Sequence, residues 1–375
     1  MSHPVSLLLL APQLYGMPGG VQVYMRRLRE ILTAYGQVCS LPVHCLSLVD
    51  AAEQRELHCH PVQHSTFEGC ARGKVAFVLK AARHVLWRRE CVAVVGHIGQ
   101  APVAWMLQQL NLIQSYILVL HGIEAWKKVA WFDRQAARGA ACIIATTRYT
   151  AQEFCGYNGI PFERTRIIPL AVAEEQIELP YDSQEGNGDL RILTVGRLSI
   201  ADRYKGFDIL IKAIERARTE GANVHLTVVG NGDDLPRLRE LTARMGLARH
   251  VTFFEAMPDE KLCLLYQECN VFAMPSSKEG FGIVFLEAMR HGKPCIGGNH
   301  GGTPEVIDHG VDGYLVNYGD VTQLTHYLVE LSQNAQLRRD MGLKGYQKVK
   351  AGYLFPHMWD NWFALLNQTA LAGRG

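Results

Sequence analysis

The chain has 375 residues, of which 48% are hydrophobic and 20% charged. This length exceeds one ordinary domain and fits two, and the composition excludes a disordered chain. The formal net charge of +2 gives no reason to expect a nucleic-acid partner.

The first apolar run, Val5 to Leu10, has no basic residue before it. It is too short for a signal-peptide core or a membrane span and reads as a buried first strand. No other segment approaches a spanning length, so the reading is a soluble, cytoplasmic protein. The next stretch, "LAPQLYGMPGGVQVYMRRL", sets Gly16, Gly19 and Gly20 ahead of a helix over Val21–Tyr35. Glycine lets backbone amides approach a phosphate closely, and a helix N-terminus favours negative charge. A purely structural turn is the alternative. The spacing is not GxGxxG, which argues against nicotinamide binding.

Short β-rich runs then alternate with amphipathic segments, the pattern of a parallel sheet covered by helices. Strands are predicted at Val43–Leu48, Val92–Gly96, Tyr116–Leu120 and Cys142–Thr146. Helices are predicted at Lys74–Arg89, Ala101–Leu110, Ala125–Gly139 and Thr147–Gly156. In "LVLHGIEAWKK", His121 ends an apolar strand, where a histidine can bond a ligand hydroxyl, assist proton movement or simply pack. His97 holds a similar position in "VVGHIG" and reads as a packed histidine. The polar, acidic "AEEQIELPYDSQEGNGDL" reads as an interdomain linker.

A second alternating series follows, with strands at Ile192–Val195, Val224–Val229, Val251–Phe254, Val271–Ala273 and Cys295–Ile296. Its helices are placed at Phe207–Arg218, Leu235–Met245, Asp259–Gln267 and Gly282–His291. In such sheets ligands bind beyond the carboxyl ends of the strands. Arg197 directly follows the first strand of this series, and Lys205 stands just before Gly206 and a helix. Two fixed cations there suit a diphosphate. "SSKEGFGIVFLEAM" then places Glu279 just outside a helix that begins near Phe281 or Gly282, with the amides of Gly280 to Val284 as an anion site. Glu287 falls about two turns into that helix within an apolar run. An unpaired carboxylate there is costly, and a ligand hydroxyl would offset the cost. Gly301-Gly302 precede a further short helix.

The ten cysteines are scattered without a CxxC pair, and no HExxH occurs among the fifteen histidines. Neither a disulfide framework nor a metal site is expected. Residues 1–172 carry 17 basic against 10 acidic side chains, and the remainder 21 against 26. This asymmetry points the first half toward something anionic. Residues 72–89, "RGKVAFVLKAARHVLWRR", hold six basic residues with Phe77 and Trp87 between them, and "AWKKVAWFDR" follows at 125–134. Basic, aromatic helices suit an anionic bilayer surface.

Taken together, these residues resemble a known family. "EGFGIVFLE" is similar to the Glu-x7-Glu motif of retaining glycosyltransferases of family 4, which have the GT-B architecture. "GGVQVYMRRL", "HGIE", "IIPLAV", "VGRLSIADRYKGFDILIKAI", "VVGNGDD", "VTFFEAMPDEKLCLLY", "MPSSKEGFG" and "GGTPEVIDHGVDGYLV" follow in that family's order. The resemblance covers nearly the full length. It implies an α/β fold of two Rossmann-like, doubly wound domains facing across a cleft. The acceptor-binding domain would be 1–172, the linker 173–190 and the nucleotide-sugar domain 191–353, with a C-terminal helix at 354–375 returning to the first domain.

It also implies transfer of a hexose-type sugar, with retained configuration and without a metal or other cofactor, from a nucleotide diphosphate sugar to a glycan or lipid-linked acceptor. A UDP-sugar is favoured over a GDP-sugar. By the same resemblance Arg197 and Lys205 would hold the diphosphate, Glu279 the donor-sugar hydroxyls and Glu287 the ribose. His121 would sit beside the reacting sugar. Gly19, Gly20, Gly196, Gly230, Gly280, Phe281, Gly282, Ile283 and Val284 would complete the donor site, with the base near Val229–Gly230 and Phe254–Met257. An epimerase or hydrolase on the same scaffold, or a non-catalytic sugar-nucleotide binder, are the competing readings. Residues 49–73 match nothing in the family, and acceptor specificity is expected there. Peripheral attachment to the inner face of the membrane is a further expectation.

Overall fold

The structure, a computed structural model, describes residues 6–15, 19–51, 65–86, 90–174, 189–255 and 257–372. Strands buried on both faces need apolar side chains at nearly every position, and "SLLLLA" at the start of the chain, buried at all six positions, is apolar at five. The chain divides into two units, Met1–Ala171 with Phe355–Gly375, and Val172–Leu354.

The first unit is built on β1 (Ser6–Ala11), β2 (Val43–Ser47), β3 (Ser65–Gly69), β4 (Cys91–Val95), β5 (Ser115–Leu120), β6 (Cys142–Ala145) and β7 (Thr165–Ile167). They form one parallel sheet in the order β3-β2-β1-β4-β5-β6-β7, with Leu7 in register with Val43 on one side and Val92 on the other. The second unit carries β8 (Asp189–Val195), β9 (Asn223–Val229), β10 (Val251–Phe254), β11 (Val271–Met274), β12 (Cys295–Gly298) and β13 (Gly313–Val316). Its sheet order is β10-β9-β8-β11-β12-β13, and Ile192 is paired between Leu226 and Val271. The strand order reverses between β1 and β4 in one sheet and between β8 and β11 in the other. At such switch points the strand-end loops part and leave room for a ligand.

Several expectations are corrected. The helix expected over Ala125–Gly139 is a short 3-10 turn at Ile123–Ala125 followed by a helix at Trp131–Gly139. The segment between is held by the Asn158 side chain, whose Oδ1 accepts from Val129 N at 2.9 Å and whose Nδ2 donates to Lys127 O at 3.2 Å. One amide side chain thus takes backbone groups that a continuous helix would have used. The edge strands β3 and β7, the strand β13 and the helices Val321–Gln333 and Ala335–Gly352 are additional to the predicted elements. β8 begins at Asp189, inside the expected linker, whose residues 175–188 lie outside the described ones. Gly16, Trp87 and the His-rich part of 49–73 also lie outside them.

The closing helix, Phe355–Ala372, packs on the helix Gly20–Cys39 of the first unit. Trp362 is fully buried and donates from Nε1 to the Tyr24 hydroxyl at 3.2 Å. Tyr35 adds a 2.9 Å bond to Asn367.

Candidate functional site

In the second unit the loops after β8 and β11 bring three expected side chains, Arg197, Lys205 and Glu279, to the switch point. Arg197 lies two residues beyond β8. Its Nε and Nη2 both donate to the carboxylate of Asp202, the Nη2–Oδ1 contact being 3.2 Å. This hydrogen-bonded carboxylate raises the guanidinium pKa further above its ordinary value. Lys205 Nζ lies 3.3 Å from Glu279 Oε2, and both side chains are largely buried, at 16% and 17% exposure. The two loops are tied through the backbone as well, Ser277 N donating to Tyr204 O at 2.8 Å. The Tyr204 ring centroid is 5.9 Å from Lys205 Nζ. Burial, then Asp202 and Glu279, raise its pKa and keep the phenol protonated.

The helix expected near Phe281 or Gly282 runs from Ile283 to Arg290, with Gly282 as its N-cap at φ 84° and no side-chain cap. A Cβ at Gly282 would lie 2.5 Å from the Phe285 ring, so glycine is required twice over, for conformation and for space. The amides of Ile283 and Val284 open this helix and are capped by no side chain; such groups suit an anion. The side chain of Phe281 is buried and its ring centroid stands 6.0 Å from that of Tyr353. What Phe281 offers a ligand is therefore backbone.

Glu287 corrects a further expectation, because it has a protein partner. Tyr266, from the helix Asp259–Glu268, donates its hydroxyl to Glu287 Oε2 at 2.7 Å. Burial raises the Glu287 pKa, and the Tyr266 bond opposes that rise. Oε1 has no hydrogen-bond partner among the described residues. Gly230 has a structural explanation of its own. A Cβ there would fall 1.9 Å from Gly196 O, so the loops after β8 and β9 touch only because this residue has no side chain. Gly230 N donates to Phe254 O at 2.8 Å, which brings the two segments expected around the base together.

In the first unit the carboxyl ends of β1, β4 and β5 hold Gly19, Gly20 and His121. Gly19 is the N-cap of its helix with extended backbone, φ −166°. A Cβ at Gly20 would make only an ordinary 3.8 Å contact with Leu170, and one at Gly19 would meet only the movable end of Gln22. Among the described residues, nothing but the end of Gln22 stands close to where a side chain on either glycine would lie.

His121 is buried and donates from Nε2 to Gly96 O at 2.8 Å. A carbonyl oxygen can only accept, so the proton is on Nε2 and Nδ1 is an acceptor. Nδ1 is buried without a hydrogen-bond partner among the described residues. Burial lowers the His121 pKa, against the opposing pull of Glu124, and keeps the ring neutral. Glu124 also accepts from His121 N at 2.6 Å, and the Tyr24 ring meets the imidazole edge-on at 5.2 Å. His97 is a turn residue, its Nδ1 accepting from Gly99 N at 3.0 Å.

Asp202, Tyr266, Glu124 and Tyr24 were not singled out from the sequence. Asp202 and Glu124 had a local signal, an acid five residues after Arg197 and one three residues after His121. Tyr266 had none, since it meets Glu287 only through packing of two helices.

Two family profiles match the chain. Residues 18–176 match "Glycosyltransferase Family 4" and residues 176–348 match "Glycosyl transferases group 1". The chain belongs to glycosyltransferase family 4. This family 4 chain is 30% identical over 225 residues to the GDP-mannose-dependent alpha-(1-6)-phosphatidylinositol monomannoside mannosyltransferase of Mycolicibacterium smegmatis, which covers 56% of the chain and 58% of that relative. The match thus spans little more than half the relative's length. Among solved structures, HepE of Anabaena in complex with UDP superposes with a TM-score of 0.78 at 19% identity, covering 97% of this chain and all of that one. Sucrose-phosphate synthase of Thermosynechococcus elongatus gives 0.80 at 21% identity, over 99% of this chain and all of that one. The family 4 chain has the GT-B α/β fold, with two Rossmann-like domains.

Proposed function

We propose that this family 4 chain transfers a sugar from a nucleoside diphosphate sugar to a hydroxyl of a glycan or lipid-linked acceptor, with retained configuration and without a metal ion. The observation that carries the reading is the Lys205–Glu279 pair at 3.3 Å at the β8/β11 switch point, beside the uncapped amides of Ile283 and Val284. Without ligand the two charges neutralise each other. A diphosphate supplies Lys205 with a stronger anion, and Glu279 is released to accept from hydroxyls of the donor sugar. In the reaction the bond from the anomeric carbon to the β-phosphate oxygen breaks, and the acceptor oxygen bonds that carbon on the same face. The acceptor proton passes to the departing phosphate. Negative charge grows on that phosphate, where Arg197, Lys205 and helix-end amides are preorganised to meet it.

The other residues take supporting parts. The orphan Nδ1 of His121 is suited to accept from a sugar hydroxyl, and Oε1 of Glu287 from a ribose hydroxyl. Gly19 and Gly20 leave space for a phosphate to approach their backbone. HepE was solved with UDP and the mycobacterial relative is named for GDP-mannose, so both donors stay in the proposal, with UDP-sugar first. The test is thermal unfolding with UDP, GDP and ADP, each with and without EDTA. UDP or GDP is expected to raise the midpoint, ligand at a hundred times Kd adding about 2.7 kcal/mol. A midpoint unmoved by all three nucleotides would sink the reading, and a shift seen only without EDTA would remove metal independence.

The reading extends to a membrane surface on the first unit. Among the described residues no helix is long and apolar enough to cross a membrane. On the helix Lys74–Leu86, Val75, Leu79 and Leu86 are exposed together with Lys74 and Arg83. Trp131 and Phe132 are exposed beyond Lys127 and Lys128. Phe77, expected to face lipid, is instead in the core, and Lys80 and Arg83 both pair with Glu68. The free charge of that helix is therefore smaller than its sequence suggests, and Lys127-Lys128 with Trp131-Phe132 carry more of the proposal. Each cation near an anionic surface adds about 1 kcal/mol. Pelleting with phosphatidylglycerol vesicles should be strong at low salt and weak at high salt, and Lys127→Ala with Lys128→Ala should reduce it. No pelleting at low salt removes this surface from the proposal.

A further inference from the structure

We propose that Asp202 is a positioning residue for Arg197, holding the inner edge of the guanidinium so that its outer edge is presented to the donor diphosphate. This rests on the function proposed above. A guanidinium has five N–H donors in a rigid planar fork. Asp202 takes two of them, the Nε hydrogen and one on Nη2. The three that remain, two on Nη1 and one on Nη2, form the edge that matches a phosphate in bidentate fashion. None of the three has a partner among the described residues. Carboxylate and phosphate therefore use different edges of the same group and do not compete for one.

The burial of the two partners is unequal in the sense this role requires. The Asp202 side chain is 6% exposed, whereas that of Arg197 is 58% exposed. Asp202 itself is fixed, its amide donating to Ser199 O at 2.8 Å within the short helix Ile200–Lys205. That helix also ends in Lys205, so one structured loop sets both cations at once. An arginine reaching into solvent loses rotamer freedom when it binds an anion; one already held on its inner edge has lost that freedom before the ligand arrives. The same carboxylate is a negative charge near the diphosphate, an opposing effect that a single substitution cannot separate. A mutant cycle with Arg197 can.

UDP and GDP are each titrated against the unaltered protein, Asp202→Asn, Arg197→Ala and the double variant. Asp202→Asn is expected to weaken diphosphate binding about ten-fold, the scale of one hydrogen bond to a charged group. In the Arg197→Ala background the same change should have no weakening effect, and should tighten binding slightly, because only the repulsive charge is then removed. Affinity for the nucleoside monophosphate should stay within about two-fold, given that the contact is to the diphosphate. Tighter binding by Asp202→Asn alone overturns the positioning role in favour of simple counter-charge. Equal weakening in both backgrounds overturns it in favour of a structural role, and unchanged binding overturns it outright. If the unaltered protein binds neither nucleotide, the functional reading fails and this inference with it. Binding by the unaltered protein with any of the three preceding results sinks this inference alone.

Discussion

Glu279→Gln is expected to lower the rate of sugar transfer by two to three orders of magnitude, while nucleoside diphosphate binding stays within a few-fold. The two quantities part because the carboxylate has two neighbours in the proposed cycle. Before ligand binds, its partner is Lys205 at 3.3 Å, with both side chains less than one-fifth exposed. The amide is nearly isosteric, so the loop after β11 keeps its shape and Gly302 N keeps its 2.7 Å bond to the Glu279 carbonyl. Lys205 then lacks a counter-ion in a half-desolvated place, which raises the benefit of an incoming diphosphate and offsets what the variant loses. Transfer has no such compensation. The sugar ring becomes electron-poor as its bond to the phosphate breaks, and an oriented carboxylate on its hydroxyls stabilises that state more than the ground state. Removing one preorganised group of this kind costs about 10²–10³ in rate. Steady-state kinetics and calorimetric titration of the same preparation decide the matter. Transfer at an unchanged rate would show that Glu279 serves only to neutralise Lys205.

The features legible in the sequence share a physical property: their signal is local. Strands such as "SLLLLA" and "SYILVL" are buried on both faces and read as continuous apolar runs. β3, "STFEG", lies at the sheet edge and is only partly buried; half of its side chains meet solvent, so its composition is that of a loop. The site divides in the same way. Arg197, Lys205, Glu279 and the glycine turn announce themselves by lying in the segments that link a strand to the next long helix. The partner of Glu287 does not, since Tyr266 comes from another helix and its hydroxyl is placed by tertiary packing. The expected cost of an unpaired carboxylate was physically sound, but the protein itself supplies half of what was assigned to a ligand. Phe77 shows the converse error, an aromatic read from its basic neighbours as surface although helical periodicity turns it to the core.

Trp362→Ala is expected to destabilise the first unit by about 3–5 kcal/mol, the range for emptying a large aromatic site in a core. The indole is fully buried between the closing helix and the helix Gly20–Cys39, and its N–H is spent on the Tyr24 hydroxyl. Tyr24 in turn reaches Ile168 O at 3.5 Å and sets its ring against His121. Burial raises the Tyr24 pKa, so the phenol stays protonated and serves as acceptor to the indole and donor to the carbonyl. Truncation leaves a cavity together with a buried hydroxyl that has lost one partner, and the two costs add. For a unit of this size each kcal/mol moves the melting midpoint about 2–4 °C, so the first unit's transition should fall by roughly 10 °C. Trp362→Phe keeps most of the volume and gives up chiefly the hydrogen bond, near 1 kcal/mol. The ratio of the two effects separates packing from hydrogen bonding. A fall of under about 1 kcal/mol for Trp362→Ala would mean that the closing helix is dispensable to the unit, and that the ring beside His121 is held by Tyr24's own helix alone.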